Sequence, residues 1–150
     1  MHGLQLTHRN FLFSNIINKH KNTHMDTQEV NGKAQLWMDE DCVLYFKMLP
    51  KTDIRAEDAE EMCKVAASIS KDVIHGNLVD ISEMTFMDKK ARAVFASQEK
   101  TTVKGVAIVS SSSIQKSIIN LYFNFSKPSI PTKVFSTQAD AKKWLVDKMK

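Results

Sequence analysis

From Lys33 onward, short apolar runs alternate with stretches whose apolar residues recur at helical spacing, the order expected of an α/β sandwich. Ala34 to Met38 and Cys42 to Met48 flank Asp39-Glu40-Asp41. Three adjacent carboxylates make poor strand residues and good solvated turn residues, so these runs predict a hairpin. Pro50 closes its second strand, since proline cannot donate to a ladder. Ala56, Ala59, Met62, Cys63, Ala66 and Ile69 then share one side of a helix over residues 54–70. Its cap is expected near Thr52 or Asp53, with Glu57, Glu60, Glu61 and Lys64 toward water and Cys63 buried as a small apolar side chain.

The run 77–81 is apolar at its centre, as in a strand buried on both sheet faces. Asp88 is placed to cap a helix over residues 89–99 with Ala91, Val94 and Phe95 inside. A second buried strand follows at 104–110. Ser110, Ser111, Ser112 and Ser113 then open a helix in which Ile114, Ile118, Tyr122 and Phe125 share a side, and Pro128 and Pro131 bar its continuation. Lys133-Val134-Phe135 make a last strand. Thr137, with Asp140 three residues on, resembles a capping box for a final helix that buries Ala141, Trp144, Leu145 and Met149. The predicted fold is a mixed β-sheet of about five strands with about four helices.

Residues 1–24 differ in character. They hold four of the five histidines (His2, His8, His20, His24) and an apolar patch, Phe11-Leu12-Phe13 and Ile16-Ile17, too short to span a membrane. The stretch fits either a disordered or weakly helical leader translated from upstream of a start at Met25, or an organelle-targeting peptide. The expected division is therefore a leader over 1–32 and one domain over 33–150, a size suited to a single core.

Composition narrows the function classes. Arg9, Lys19 and Lys21 supply three of the four net positive charges, so the domain is nearly neutral and lacks the footprint of a nucleic-acid binder. Cys42 and Cys63 are too few for a disulfide framework or zinc site, and free thiols point to a cytoplasmic location. Four glycines cannot build a phosphate loop or dinucleotide fingerprint. His75, the one histidine outside the leader, is expected at the surface or a strand edge rather than as a general base. Glu57, Asp58, Glu60 and Glu61 suit a solvated first turn, where the helix dipole favours acids, better than a metal cluster. No catalytic residue, metal or cofactor is expected.

The most telling stretch is Leu78-Val-Asp-Ile-Ser-Glu-Met-Thr-Phe-Met-Asp-Lys-Lys-Ala-Arg92. A strand ends in Asp80-Ile81-Ser82, a loop carries Phe86-Met87-Asp88, and a helix starts. This resembles the STAS domain of SpoIIAA-like anti-sigma-factor antagonists, in which the same order leads into a phosphoacceptor serine, a second serine and a glycine. Lys89, Lys90 and Ala91 stand in those places here. Pro128-x-x-Pro131-Thr132-Lys133-Val134-Phe135, followed by Ala141-x-x-Trp144-Leu145, is similar to the close of small SpoIIAA-like proteins of Bacteroidota, so the resemblance covers residues 33–149.

What the resemblance implies is a non-enzymatic regulatory or protein-interaction module without the serine phospho-switch, because a lysine carries a fixed charge opposite to that of phosphate. Its expected contact surface is Ser82, Glu83, Asp88, Lys89, Lys90 and Arg92. The serines Ser110 to Ser113 form a candidate anion site at a helix start, with plain capping as the competing role. The likeness of this fold to lipid-carrying CRAL-TRIO domains implies an alternative, a small lipid-like or anionic ligand held beneath the 114–125 helix. Leu121-Tyr122-Phe123-Asn124-Phe125 holds more aromatic surface than one buried face needs, which suits a partner, lipid or dimer contact.

Overall fold

The computed structural model describes residues 26–98, 101–113, 115–116, 119 and 129–150. In chain order its elements are β1 (Gln28–Val30), β2 (Ala34–Met38), β3 (Val43–Met48), β4 (Asp53–Ile54), α1 (Ala56–Ser70), β5 (His75–Asp80), β6 (Phe86–Met87), α2 (Lys89–Ala96), β7 (Val103–Val109), β8 (Thr132–Phe135) and α3 (Gln138–Lys148). Ser113, Gln115, Lys116 and Ile119 are also helical. The shared face expected of Ile114, Ile118, Tyr122 and Phe125 lies outside the described residues, as do Glu99 and the 121–125 aromatic run.

Six strands form one mixed sheet in the order β1-β2-β3-β5-β7-β8, and β4 pairs with β6 in a small ribbon. β1, β2 and β3 are antiparallel neighbours, whereas β3, β5, β7 and β8 run parallel. The hairpin predicted across Asp39-Glu40-Asp41 pairs Ala34 with Met48 and Met38 with Leu44. Three strands exceed the expectation, the β4 and β6 of the ribbon and β1. β1 falls within the segment assigned to a leader, and it joins β2 through Asn31 and Gly32, both with positive φ (54° and 64°). Consecutive left-handed residues match the twist of a tight hairpin, which is why Asn-Gly occupies them.

Side chains alternate across the sheet, so each strand feeds two cores. One side buries Leu36, Leu44, Phe46 and Met48 beneath Ala59, Met62 and Ala66 of α1 and Ala91 of α2. The other buries Val43, Leu78, Ala107 and Val109 against Ala141 and Leu145 of α3. Each fully buried aliphatic side chain of this size contributes about 1.5–3 kcal/mol of transfer free energy. Gly76 and Gly105 let α3 lie close to the sheet: a Cβ on Gly76 would meet Leu145 Cδ2 at 2.8 Å and its Cβ at 3.2 Å. At α3's start the Thr137 hydroxyl accepts the Asp140 N–H at 3.2 Å, as its capping pattern predicts.

Several local expectations are corrected. α1 starts at Ala56, so its N-cap is Arg55 rather than Thr52 or Asp53, and Asp58 in the first turn reaches back to accept the Arg55 N–H on Oδ2 at 2.9 Å. Asp58 is consequently not one of the solvated acids. It is 4% exposed, with Lys33 Nζ at 2.7 Å and Asn31 Nδ2 at 2.9 Å. Burial would raise its carboxyl, but the hydrogen bonds from Lys33, the Arg55 N–H and Asn31 outweigh that and hold it below its ordinary value. His75 is buried rather than at the surface, with Nδ1 at 2.7 Å from the Val73 carbonyl. Cys63 is half-buried. In the hairpin turn Asp39 is structural as well as solvated: it accepts the N–H groups of Asp41 and Val43 and the Tyr45 hydroxyl, and Lys142 of α3 bridges it to Asp41 at 3.0 and 2.9 Å. Burial, then the adjacent Asp39 charge, push Tyr45 up to about 12.

A candidate ligand cavity

The parallel strands β5 and β7 present Asn77, Val79, Val106 and Ile108 to the side of the sheet that α1 and α2 cover, because Leu78 and Ala107 between them face α3. A cavity of about 270 Å³ lies over these residues. Phe95 of α2 walls one flank, edge-on to Phe46 with ring centroids 6.4 Å apart. Met84, Phe86 and Met87 close one end, Ile130 and Thr132 the other, and Gln115 and Ile119 stand alongside. Native cores contain few voids larger than a water molecule, and ligand clefts start near this volume and are mainly apolar.

The polar groups within this lining are few. Arg92 is the one ionised residue among its described members, and its Nη1 donates to the Met87 carbonyl at 2.8 Å. Gln115 donates from Nε2 to the Ile81 carbonyl at 3.2 Å and accepts the Ser110 hydroxyl at 2.6 Å, which ties Gln115 to the carboxyl ends of β5 and β7. Asn77 interrupts an apolar row, paired with Leu44 on one side and Val106 on the other. Its Oδ1 is buried and accepts no hydrogen bond.

The residues singled out from the sequence divide into separate places. Ser82 and Glu83 form the turn after β5, where the Ser82 hydroxyl and N–H both donate to Asp80 Oδ1, and Gln138 of α3 donates to Asp80 Oδ2 at 2.7 Å. Asp88 accepts the Ala91 N–H at 2.7 Å and caps α2. Lys89 and Lys90 are exposed on that helix's first turn, while Arg92 turns to the cavity. The expected contact set is thus brought to one loop and helix start but not onto one surface. Phe86, in β6, is 49% exposed. The Arg55 guanidinium lies 5.8 Å from its ring centroid and 2.6 Å from Asp53, whose hydrogen bond and charge raise the arginine's pKa.

Of the serines, Ser110 is buried on Gln115, and Ser112 accepts the Gln115 N–H at 3.3 Å in the manner of a cap. Ser111 and Ser113 are exposed. Sequence reasoning missed Asn77, although a polar residue on the helix-covered side of a buried strand is itself a signal. Among the described residues, no three His, Cys, Asp or Glu side chains assemble to hold a metal, and no helix is long and apolar enough to cross a membrane.

This architecture is the α/β fold of SpoIIAA-like proteins. The chain belongs to the family described as a domain of unknown function, DUF7793, which matches residues 36–148. A protein of the DUF3478 family with a SpoIIAA-like fold from Shewanella loihica PV-4 is 23% identical; the match covers 75% of this chain and 91% of that one, with a TM-score of 0.55. A protein with unknown function from Arthrobacter sp. FB24 is 22% identical over 73% of this chain and 90% of its own, with a TM-score of 0.30. None of the curated proteins matches the chain significantly.

Proposed function

We propose that this protein is a non-enzymatic binding module, a carrier or sensor that holds a small lipid-like molecule between its sheet and α2. The observation that supports this is the cavity: a concave, mostly apolar space with few polar groups, walled by Val79, Ile108 and Phe95. The reading keeps the fold of the resemblance and gives Arg92 a place at the ligand rather than at a protein partner. Native mass spectrometry of gently purified protein is expected to reveal a co-purifying amphiphile. Ile108→Trp, which puts an indole into the middle of the cavity, is expected to weaken binding of a fluorescent alkyl probe by more than about tenfold, some 1.4 kcal/mol. Undiminished binding in a folded Ile108→Trp protein rejects the site.

A second reading has its own observation. Half-exposed Phe86, with the Arg55 guanidinium 5.8 Å from its ring centroid, precedes the exposed Lys89 and Lys90 by three and four residues, an apolar and basic composition that suits contact with an acidic protein partner. Ser82, Glu83 and Asp88 belong to the same loop. Lys89→Glu with Lys90→Glu is expected to lower partner recovery in a pull-down several-fold and to flatten its salt dependence. Identical recovery from both proteins removes this surface.

A further inference from the structure

We infer that ligand passes in and out of the cavity beside Phe86, and that Arg55 is a positioning residue that holds the Phe86 ring across this mouth and so sets the rate of exchange. This rests on the ligand reading above and specifies how that site is entered.

Phe86 has two environments. It lines the cavity, yet it is 49% exposed, so its ring stands where the space meets solvent. The register of the small ribbon pairs Ile54 with Met87 and Asp53 with Phe86. Ile54 is fully buried and Met87 packs against the same core, whereas the Asp53 side chain is nearly half-exposed. The inner half of the ribbon is therefore anchored, and the part able to swing is the Phe86 side chain. The other walls are firmer: β5 and β7 each have a paired strand on both sides, and α2 buries Ala91 and sets Phe95 edge-on to Phe46. The opposite end of the cavity also reaches the surface, but through Gln98 and Ser129, polar side chains that retain water. An apolar molecule leaving water is better received by the exposed ring.

Arg55 fixes where that ring rests. Its guanidinium carbon lies 5.8 Å from the ring centroid, with Nη2 2.6 Å from Asp53 and Nη1 3.7 Å from Asp88. One side chain thus spans from β4 to the cap of α2 with the ring against it. A cation near a ring face and an exposed ion pair are each modest interactions, which suits a latch that must open repeatedly. Rotation of an exposed side chain is far faster than ligand exchange, so entry and exit both scale with the fraction of time the mouth is open. Arg55 is not itself a lining residue. Its hold on the closed mouth is therefore the same with and without ligand, and losing it speeds both steps by one factor.

The test is stopped-flow fluorescence of the full chain with N-phenyl-1-naphthylamine, a neutral probe whose attraction does not depend on the charge of Arg55. Arg55→Gln is expected to raise the association and dissociation rates together by about three- to fivefold, with Kd within about twofold of wild type. Asp53→Asn is expected to raise both by a smaller factor, and the double variant to be no faster than Arg55→Gln alone, because the two residues form one latch. Gln98→Trp, which adds bulk at the opposite end, is expected to leave both rates as they are. Unaltered rates in Arg55→Gln, a change in one rate without the other, additive effects in the double variant, or slower exchange in Gln98→Trp overturns the assignment, and the cavity remains a ligand site. If the probe does not bind the wild-type chain, the ligand reading falls and the latch with it.

Discussion

Asp58→Ala is expected to lower the stability of the fold by about 3 kcal/mol, with a fall of roughly 10 °C in midpoint. The side chain does three things at once: it accepts the Arg55 N–H at the start of α1, the Asn31 amide at the β1–β2 turn and the Lys33 ammonium. Removing it leaves a helix end uncapped and two polar groups at the turn without their partner. Lys33 keeps the Asp53 carbonyl at 2.8 Å and is about one-third exposed, which moderates the loss. The contribution also has a pH signature. The folded carboxyl sits below its ordinary value of 3.8, so its stabilisation is present in full above that value and is lost as the pH falls through the folded value. Urea titrations of both proteins at pH 7 and at successively lower pH check this. The gap between them should be widest at neutrality and close in acid. A gap that does not change as the solution is acidified would contradict the assignment of the carboxylate as the source.

Gly76→Val is expected to cost about 3 kcal/mol by lifting α3 from the sheet. A Cβ alone would lie 2.8 Å from Leu145 Cδ2 and 3.2 Å from its Cβ, and valine adds two methyl groups beyond that. The flexible end of Leu145 can rotate away, but its Cβ is fixed to the helix, so the helix itself must shift. Leu145 fills the centre of the smaller core and is fully buried. Leu145→Ala by itself should cost about 2–5 kcal/mol through the space it leaves. Combined in one chain, the two substitutions should cost less than their sum, because losing the Leu145 Cγ and Cδ atoms makes room for the valine methyl groups while only the Cβ contact stays. Chemical denaturation of the four proteins measures the coupling, and strict additivity would show that the valine does not clash with the Leu145 Cγ and Cδ atoms.

The elements that local pattern dictates are those the sequence made readable. β2 and β3 alternate, α1 and α3 repeat their apolar residues at helical spacing, and Asp88 and Thr137 cap the helices they precede. Each of these signals lies within a dozen residues. β1 was missed because three residues, two of them exposed, hold too little apolar pattern to declare a strand. The signal was instead in the turn, Asn31-Gly32, which lay just before the boundary drawn at residue 33. Asp58 was assigned to water for a related reason: its neighbours in sequence are solvated acids, and the groups that bury it, Asn31 and Lys33, arrive from more than twenty residues away.

The candidate site was less accessible still. Arg92, Phe95 and Ala96 recur at the spacing that places side chains on one helix face, so their common wall was open to inference from α2 alone. That they meet Asn77 and Ile108 depends on strand order, which pattern along the chain does not state. Lys89 and Lys90 attracted notice because they occupy the place of modifiable hydroxyls, yet the side chain of that turn reaching the cavity is Arg92.

The brevity of β1 governs how this sheet meets other molecules. A long apolar border with free amide and carbonyl groups is a template on which a second chain can polymerise. β2, with Leu36, Trp37 and Met38, would be such a border if it lay outermost. Three residues carrying Gln28 and Glu29 toward solvent cover part of it, so the border left on that side of the sheet is short and offers few backbone groups to pair with.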